Sequence, residues 1–148
     1  MNKTSHPIHR HADFVLDLLI AQCEDLEGLL ALARREEEAA AARNFDEILR
    51  VVDARATLGE RLETYHRQIA DLRRKLGDVA EPPAQSELSR RTAATIIEIQ
   101  ATDSRTRPLL LAARNDLVRQ QQRLDRARQG VTAYLQESAT AIACDHHA

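Results

Sequence analysis

Over residues 95–135 the chain repeats a hydrophobic step of three and four: Ile96, Ile99, Asp103, Thr106, Leu110, Ala113, Leu117, Gln120, Leu124, Ala127, Val131 and Tyr134. That spacing is one face of a long helix, with the character of a heptad seam. Two earlier stretches share it. Asp13 can cap a first helix in which Leu16, Leu19, Cys23, Leu26, Leu30 and Ala33 form the stripe, and Leu18, Leu29 and Leu32 widen it enough to meet two neighbours. This helix should end at about Ala42. Asn44-Phe45-Asp46-Glu47 has the form of a capping box, and the stripe Ile48, Val51, Arg55, Leu58, Leu62, Tyr65, Ile69, Leu72, Leu76 follows it. Gly77 suits the left-handed position that ends a helix, and Pro82-Pro83 delay the next one, for which Ser86 is the expected cap. Short connections at 43–44 and 77–86 imply antiparallel neighbours. The predicted fold is all-α: an antiparallel bundle of three long helices with coiled-coil-like packing. Residues 1–12 form a flexible N-terminal arm, 13–137 a single helical-bundle domain and 138–148 a flexible C-terminal tail.

The third helix is too long for the other two. Residues 86–137 would extend roughly 78 Å, against about 45–50 Å for each earlier helix, at ~1.5 Å per residue. Pro108 lies near its middle and removes one backbone hydrogen bond. The three-four pattern nevertheless keeps its phase from Ile99 through Leu110 to Ala113, which favours a kinked but continuous helix. The alternative is a break, with Thr106 capping a fourth helix.

Composition narrows the picture. A chain of 148 residues with four Gly, four Pro and 30% charged residues suits one domain of long helices. Phe14, Phe45, Tyr65 and Tyr134 are the only aromatics, so aliphatic residues must fill the core. A formal charge of −2 and so few stacking rings argue against nucleic acid as a partner. No run approaches the ~20 apolar residues that span a bilayer, and Asp17 interrupts the one early apolar run that could pass for a signal peptide. Cys23 and Cys144 make no disulfide framework, and Cys23 on an apolar face suits a reducing, cytoplasmic setting. Eight acids against two bases give the first helix −6, whereas the second carries +1 and the third +3. An acidic helix beside a basic one steers register more than it adds stability.

Chemistry is sparse. Glu63 and His66 have the Glu-x-x-His spacing of di-metal bundles, but no second pair exists to complete such a site. His6, His9 and His11 at one end and Cys144, Asp145, His146 and His147 at the other are expected to be adventitious ligands at most. No Gly-rich phosphate loop or nucleophile–base arrangement can be placed. No catalytic residue, cofactor or metal is expected, and the protein is read as a non-enzyme. Gly28 is placed on the outward face of the first helix, without evident purpose. Arg55 interrupts an apolar stripe. It either lays its stem over Val51 and Leu58 with its head in water, or pairs with Asp103 to fix helix register.

Binding could live in the second half of the third helix. Leu109, Leu110 and Leu111 are consecutive and cannot all face one neighbour, and Val118 and Leu135 lie just off the seam. Leu110, Leu111, Leu117, Val118, Leu124, Val131 and Tyr134 are the candidate partner-binding residues. They would receive an amphipathic partner helix, or the same strip would be covered by its own copy in a homodimer or by the chain's two tails.

Three segments carry a resemblance. Leu26-Glu27-Gly28-Leu29-Leu30 leads into Glu36-Glu37-Glu38; Asn44-Phe45-Asp46-Glu47-Ile48-Leu49 precedes Val51-Val52-Asp53-Ala54-Arg55-Ala56-Thr57-Leu58; and Ile97-Glu98-Ile99-Gln100-Ala101-Thr102-Asp103 runs through Arg114-Asn115-Asp116-Leu117 to the closing Gly130-Val131-Thr132-Ala133-Tyr134. Over residues 13–135 this pattern resembles the flagellar export chaperones of the FlgN/FliT-like group, from which Pro108 and the arginine-rich third helix depart. The resemblance implies a cytoplasmic, non-enzymatic chaperone in bacterial flagellum biogenesis. Its client would be the terminal helix of a hook-associated or filament-cap protein, held before type III export. It also implies that binding lies in the C-terminal helix. The rival class is a structural coiled-coil scaffold or stalk that self-associates through the third helix.

Overall fold

A computed structural model describes residues 7–77 and 80–145, with side chains over 10–77 and 80–141. It contains three helices, α1 (Pro7–Ala41), α2 (Phe45–Leu76) and α3 (Pro83–Asp145), and no strand among the described residues. By its internal contacts the chain divides after Leu109 into two units.

The first unit is the bundle. α1 begins at Pro7, inside the stretch expected to be a flexible arm, and Asp13 sits exposed within the helix instead of capping it. Proline at the first helical position needs no N–H partner and has a helical φ already set, which the apolar pattern cannot register. Residues 1–6 of the expected arm lie outside the described residues. α3 likewise starts at Pro83, three residues before Ser86. The Pro82 carbonyl accepts from the N–H groups of Gln85 at 3.0 Å and Ser86 at 3.1 Å, so the proline pair opens the helix where it was expected to delay it.

The turn between α1 and α2 falls where the sequence places it. Asn44 N–H donates to the Ala39 carbonyl at 2.9 Å and Arg43 N–H to that of Ala40 at 3.2 Å, with Arg43 at φ 56°. That is a Schellman ending, normally a glycine position. Asn44 then caps α2 by accepting from the Glu47 N–H at 3.2 Å, and Gly77, at φ 66°, closes it with its N–H on the Arg73 carbonyl. The Glu47 carboxylate does not complete the box; it pairs with Arg35 and Arg50.

Side-chain pairs define the directions. Asp25 meets Arg61, Glu36 meets Arg55 and Arg35 meets Glu47, so α2 runs antiparallel to α1. Glu27 meets Arg91, Arg34 meets Glu98 and Glu37 meets Arg105, so α3 returns parallel to α1. The α1 and α2 stripes turn inward as their spacing predicts, and in the first unit the α3 stripe does so at Ile99 and Thr106 but not at Ile96, which is exposed. Val15, Leu18, Leu19, Ile69 and Leu72 form the main cluster, with Tyr65, Leu76 and Leu88 packed on it. Burying each large aliphatic is worth about 1.5–3 kcal/mol relative to leaving it exposed. Further along, Cys23 is buried with its thiol 3.2 Å from the Thr92 hydroxyl, and the small residues Ala33, Ala39 and Ala40 take over towards the turn. Gly28 is not on an outward face. A Cβ there would lie 3.5 Å from Cδ1 of Leu58, so it faces α2.

Pro108 lies inside α3, and the helix is assigned without interruption across it. Thr106 caps nothing: it is buried, and its hydroxyl donates to the Thr102 carbonyl at 2.9 Å, one turn back in the same helix. The continuous alternative therefore holds. The carbonyl deprived of its partner belongs to Ser104, and Ser104 and Pro108 are both exposed, so water can serve it.

The second unit begins at Leu110 and is helical to Asp145. Residues 138–145, expected to be a flexible tail, continue the helix; Ala139, Ala141 and Ala143 supply the best helix former there. Residues 146–148 lie outside the described residues. No helix among the described residues is long and apolar enough to cross a membrane.

Candidate functional site

Two features stand out, one in each unit. In the bundle, one arginine ties all three helices. Arg55 on α2 donates through Nη1 to the Glu36 carboxylate on α1, and through Nη2 to both oxygens of Asp103 on α3, at 2.9 and 2.8 Å. The Glu36 side chain is 6% exposed, that of Arg55 21% and that of Asp103 42%. Burial alone would lower the Arg55 guanidinium, but the hydrogen bonds from Asp103 and Glu36 outweigh it and hold the group above its ordinary range. The pairing reading of Arg55 is the one realised.

Glu36 is the member that sequence reasoning missed. Its signal was present: from Ala33 to Glu36 to Ala40 the steps are three and four, which places Glu36 in the α1 seam. The run Glu36-Glu37-Glu38 disguises this, because only its first residue turns inward. Glu37 reaches Arg105 instead. That hydrogen bond holds its carboxyl below the usual carboxylate range, as the bond from Arg35 does for Glu47. Asp25 in turn raises the Arg61 guanidinium.

Other candidates gather no chemistry. Glu63 and His66 are exposed, and among the described residues no group of three His, Cys, Asp or Glu is placed to hold a metal. His6 and the side chains of His9, Cys144, Asp145, His146 and His147 lie outside the described residues. A shallow cleft where α2 ends and α3 begins is spanned by the Arg73–Glu81 pair at 2.8 Å, and the buried Gln85 beside it donates to the Ala12 carbonyl. No buried side-chain nitrogen or oxygen among the described residues lacks a partner.

The second unit holds the predicted partner-binding residues together on one helix. Leu110 is half-buried. Leu111 and Val118 are exposed beside the row, and along the row itself exposure climbs from 42% at Leu117 through Leu124 and Val131 to 69% at Tyr134. Leu135, also exposed, adds to its far end. A row of Leu and Val at seven-residue spacing has the form of a seam for another helix.

The arginines around this row differ from those of the bundle. In the bundle Arg55, Arg61, Arg91 and Arg105 are among the arginines held by carboxylates of a neighbouring helix. In the second unit Arg119 has Asp116 at 3.7 Å, and Arg123, Arg126 and Arg128 have no carboxylate partner among the described residues. Comparison of the chain with protein-family models, with curated proteins and with solved structures gave no match.

Proposed function

We propose that this protein is a cytoplasmic export chaperone of the flagellar FlgN/FliT-like kind, which holds the amphipathic terminal helix of a hook-associated or filament-cap protein until export. The observation that carries this reading is the exposed row Leu117, Leu124, Val131 and Tyr134, in which Leu, Leu and Val follow one another at the seven-residue spacing of a seam for another helix. Client recognition is helix on helix. The client lays its apolar face along the row and gains roughly 25 cal/mol per Å² buried, less the cost of ordering its terminus. A moderate net affinity suits a chaperone, which must release what it protects. Within the bundle the Glu36–Arg55–Asp103 network ties the three helices.

Affinity isolation of the tagged chain from its own cells, with mass spectrometry and light scattering on the eluate, tests the reading. A hook-junction or filament-cap protein should be recovered, and should be lost with Leu117→Asp while helicity is unchanged. Recovery of the chain alone as a fixed oligomer, dissociated by the same substitution, would instead identify a self-associating scaffold.

A further inference from the structure

The charges beside the exposed row specify its occupant. In heptad terms Leu110, Leu117, Leu124 and Val131 occupy one core column, and Ala113, Gln120, Ala127 and Tyr134 the other. The flanking positions that meet a partner helix are then Arg114, Gln121 and Arg128 on one side, and Asp116, Arg123 and Gly130 on the other. Asp116 is the one carboxylate among these flanking positions, and it lies 3.7 Å from Arg119 on the same helix. The rim offered to a partner therefore carries three arginines against one carboxylate, and Arg123 and Arg128 have no carboxylate partner among the described residues.

A second copy of this chain fits that rim poorly. Side by side in parallel, Arg123 of each copy would lie against Arg128 of the other. In the antiparallel register that covers the whole row from Leu110 to Tyr134, Arg123 would meet Arg123 across the middle and Arg114 would meet Arg128 at both ends. Like charges at these positions oppose association. A bilayer fits no better. A helix that lies in a lipid surface presents a broad apolar face, whereas here Arg114, Gln121 and Arg128 lie between the Leu/Val column and the exposed Leu111 and Val118, and Gln120 interrupts the other core column.

We propose that the exposed row of α3 takes an amphipathic helix whose apolar seam is flanked by Asp or Glu opposite Arg114, Arg123 and Arg128, in preference to a second copy of this chain. This inference rests on the docking role assigned to the row above and adds the chemistry by which a client is chosen. The apolar column supplies affinity, while the arginine rim supplies selectivity, orientation and speed of encounter.

Three synthetic peptides of about four heptads, identical along a Leu/Ala seam and flanked by Glu, by Gln or by Lys, provide the test. Their binding to the full chain is read by fluorescence anisotropy, with light scattering on the chain alone. The Glu-flanked peptide should bind about tenfold more tightly than the Gln-flanked one, the Lys-flanked peptide should be weakest, and the spread should narrow as salt is raised. The double variant Arg123→Glu/Arg128→Glu, checked by circular dichroism for unchanged helicity, should come to prefer the Lys-flanked peptide. Equal binding of all three would overturn the charge rule while leaving the docking role standing. If no peptide binds and the chain alone is a stable dimer, or if the chain binds anionic vesicles and none of the peptides, both the rule and the docking role fall.

Discussion

Replacing Arg55 with leucine should be among the most damaging single changes in the bundle, and the structure sets its size. The substitution leaves Glu36, whose side chain is 6% exposed, without its only partner among the described residues. Stranding a buried charge costs about 3–5 kcal/mol when water is excluded. Here Arg55 and Asp103 are 21% and 42% exposed, so water reaches one side of the network and the lower figure of about 3 kcal/mol is expected. Asp103→Asn should cost no more than about 1 kcal/mol, since that carboxylate stays largely hydrated. Urea unfolding followed by circular dichroism at 222 nm measures each change, and double-mutant cycles separate the two arms. The Arg55–Glu36 coupling should exceed the Arg55–Asp103 coupling, and Glu36→Leu combined with Arg55→Leu should recover much of the single-variant loss. A cost below about 0.5 kcal/mol for Arg55→Leu would refute the argument, because Arg55 would then be a solvated side chain. A larger coupling to Asp103 would refute the ranking by burial.

Glycine positions give a second set of expectations. Gly28→Ala places its Cβ 3.5 Å from Leu58 in ordinary contact, and Gly59→Ala meets nothing within 4 Å, so each should raise stability by up to about 1 kcal/mol in urea unfolding. Gly77→Ala should lower it by about 1 kcal/mol or more, because φ 66° disfavours a side chain whatever the space. The Glu37 and Glu47 carboxyls are held below the ordinary value of 4.5, so their pairs stabilise the fold above that pH and the benefit is lost as pH falls through the lowered values. Urea midpoints measured between pH 6 and pH 3 should fall less in the double variant Glu37→Gln/Glu47→Gln than in the parent chain. Leu117→Asp alters a residue already 42% exposed and should change the unfolding free energy in urea little, by about 0.5 kcal/mol or less, while it removes client binding.

Hydrophobic spacing made most of the bundle legible. The α2 stripe from Ile48 to Leu76 contains no exposed residue, Asn44 caps where it should, and the α3 pattern runs through Pro108 in phase. The misplaced features are those that spacing does not encode. Helix starts at Pro7 and Pro83 arise from backbone preorganisation, and a reading that treats proline only as a breaker puts them too late. At the α3 entry to the core the pattern selected Ile96, yet Thr95 is the residue turned inward, because a hydroxyl can satisfy itself on its own helix: Thr95 donates to the Arg91 carbonyl at 3.0 Å. Glu36 was hidden by its two acidic neighbours. The spacing of Leu117, Leu124 and Val131 is readable in the sequence, but their exposure is not, since an unburied seam looks in sequence like a buried one; only the excess length of the third helix points to it.

The outer pairs between α1 and α3 have a consequence for alignment. A bundle built on heptads can slide by one repeat and still place apolar residues against apolar residues, so its core alone discriminates weakly between neighbouring alignments. Along α1 the charges read Glu27 then Arg34, and along α3 Arg91, Glu98 and Arg105, each spaced by one repeat and alternating in sign. Sliding α3 by one repeat in one direction would set Glu27 against Glu98 and Arg34 against Arg105; sliding it the other way would set Arg34 against Arg91. Each exposed pair adds little to the correct alignment, but either neighbouring one turns attraction into repulsion. The alternation works as a vernier, marking one alignment among several that the hydrophobic repeat would accept.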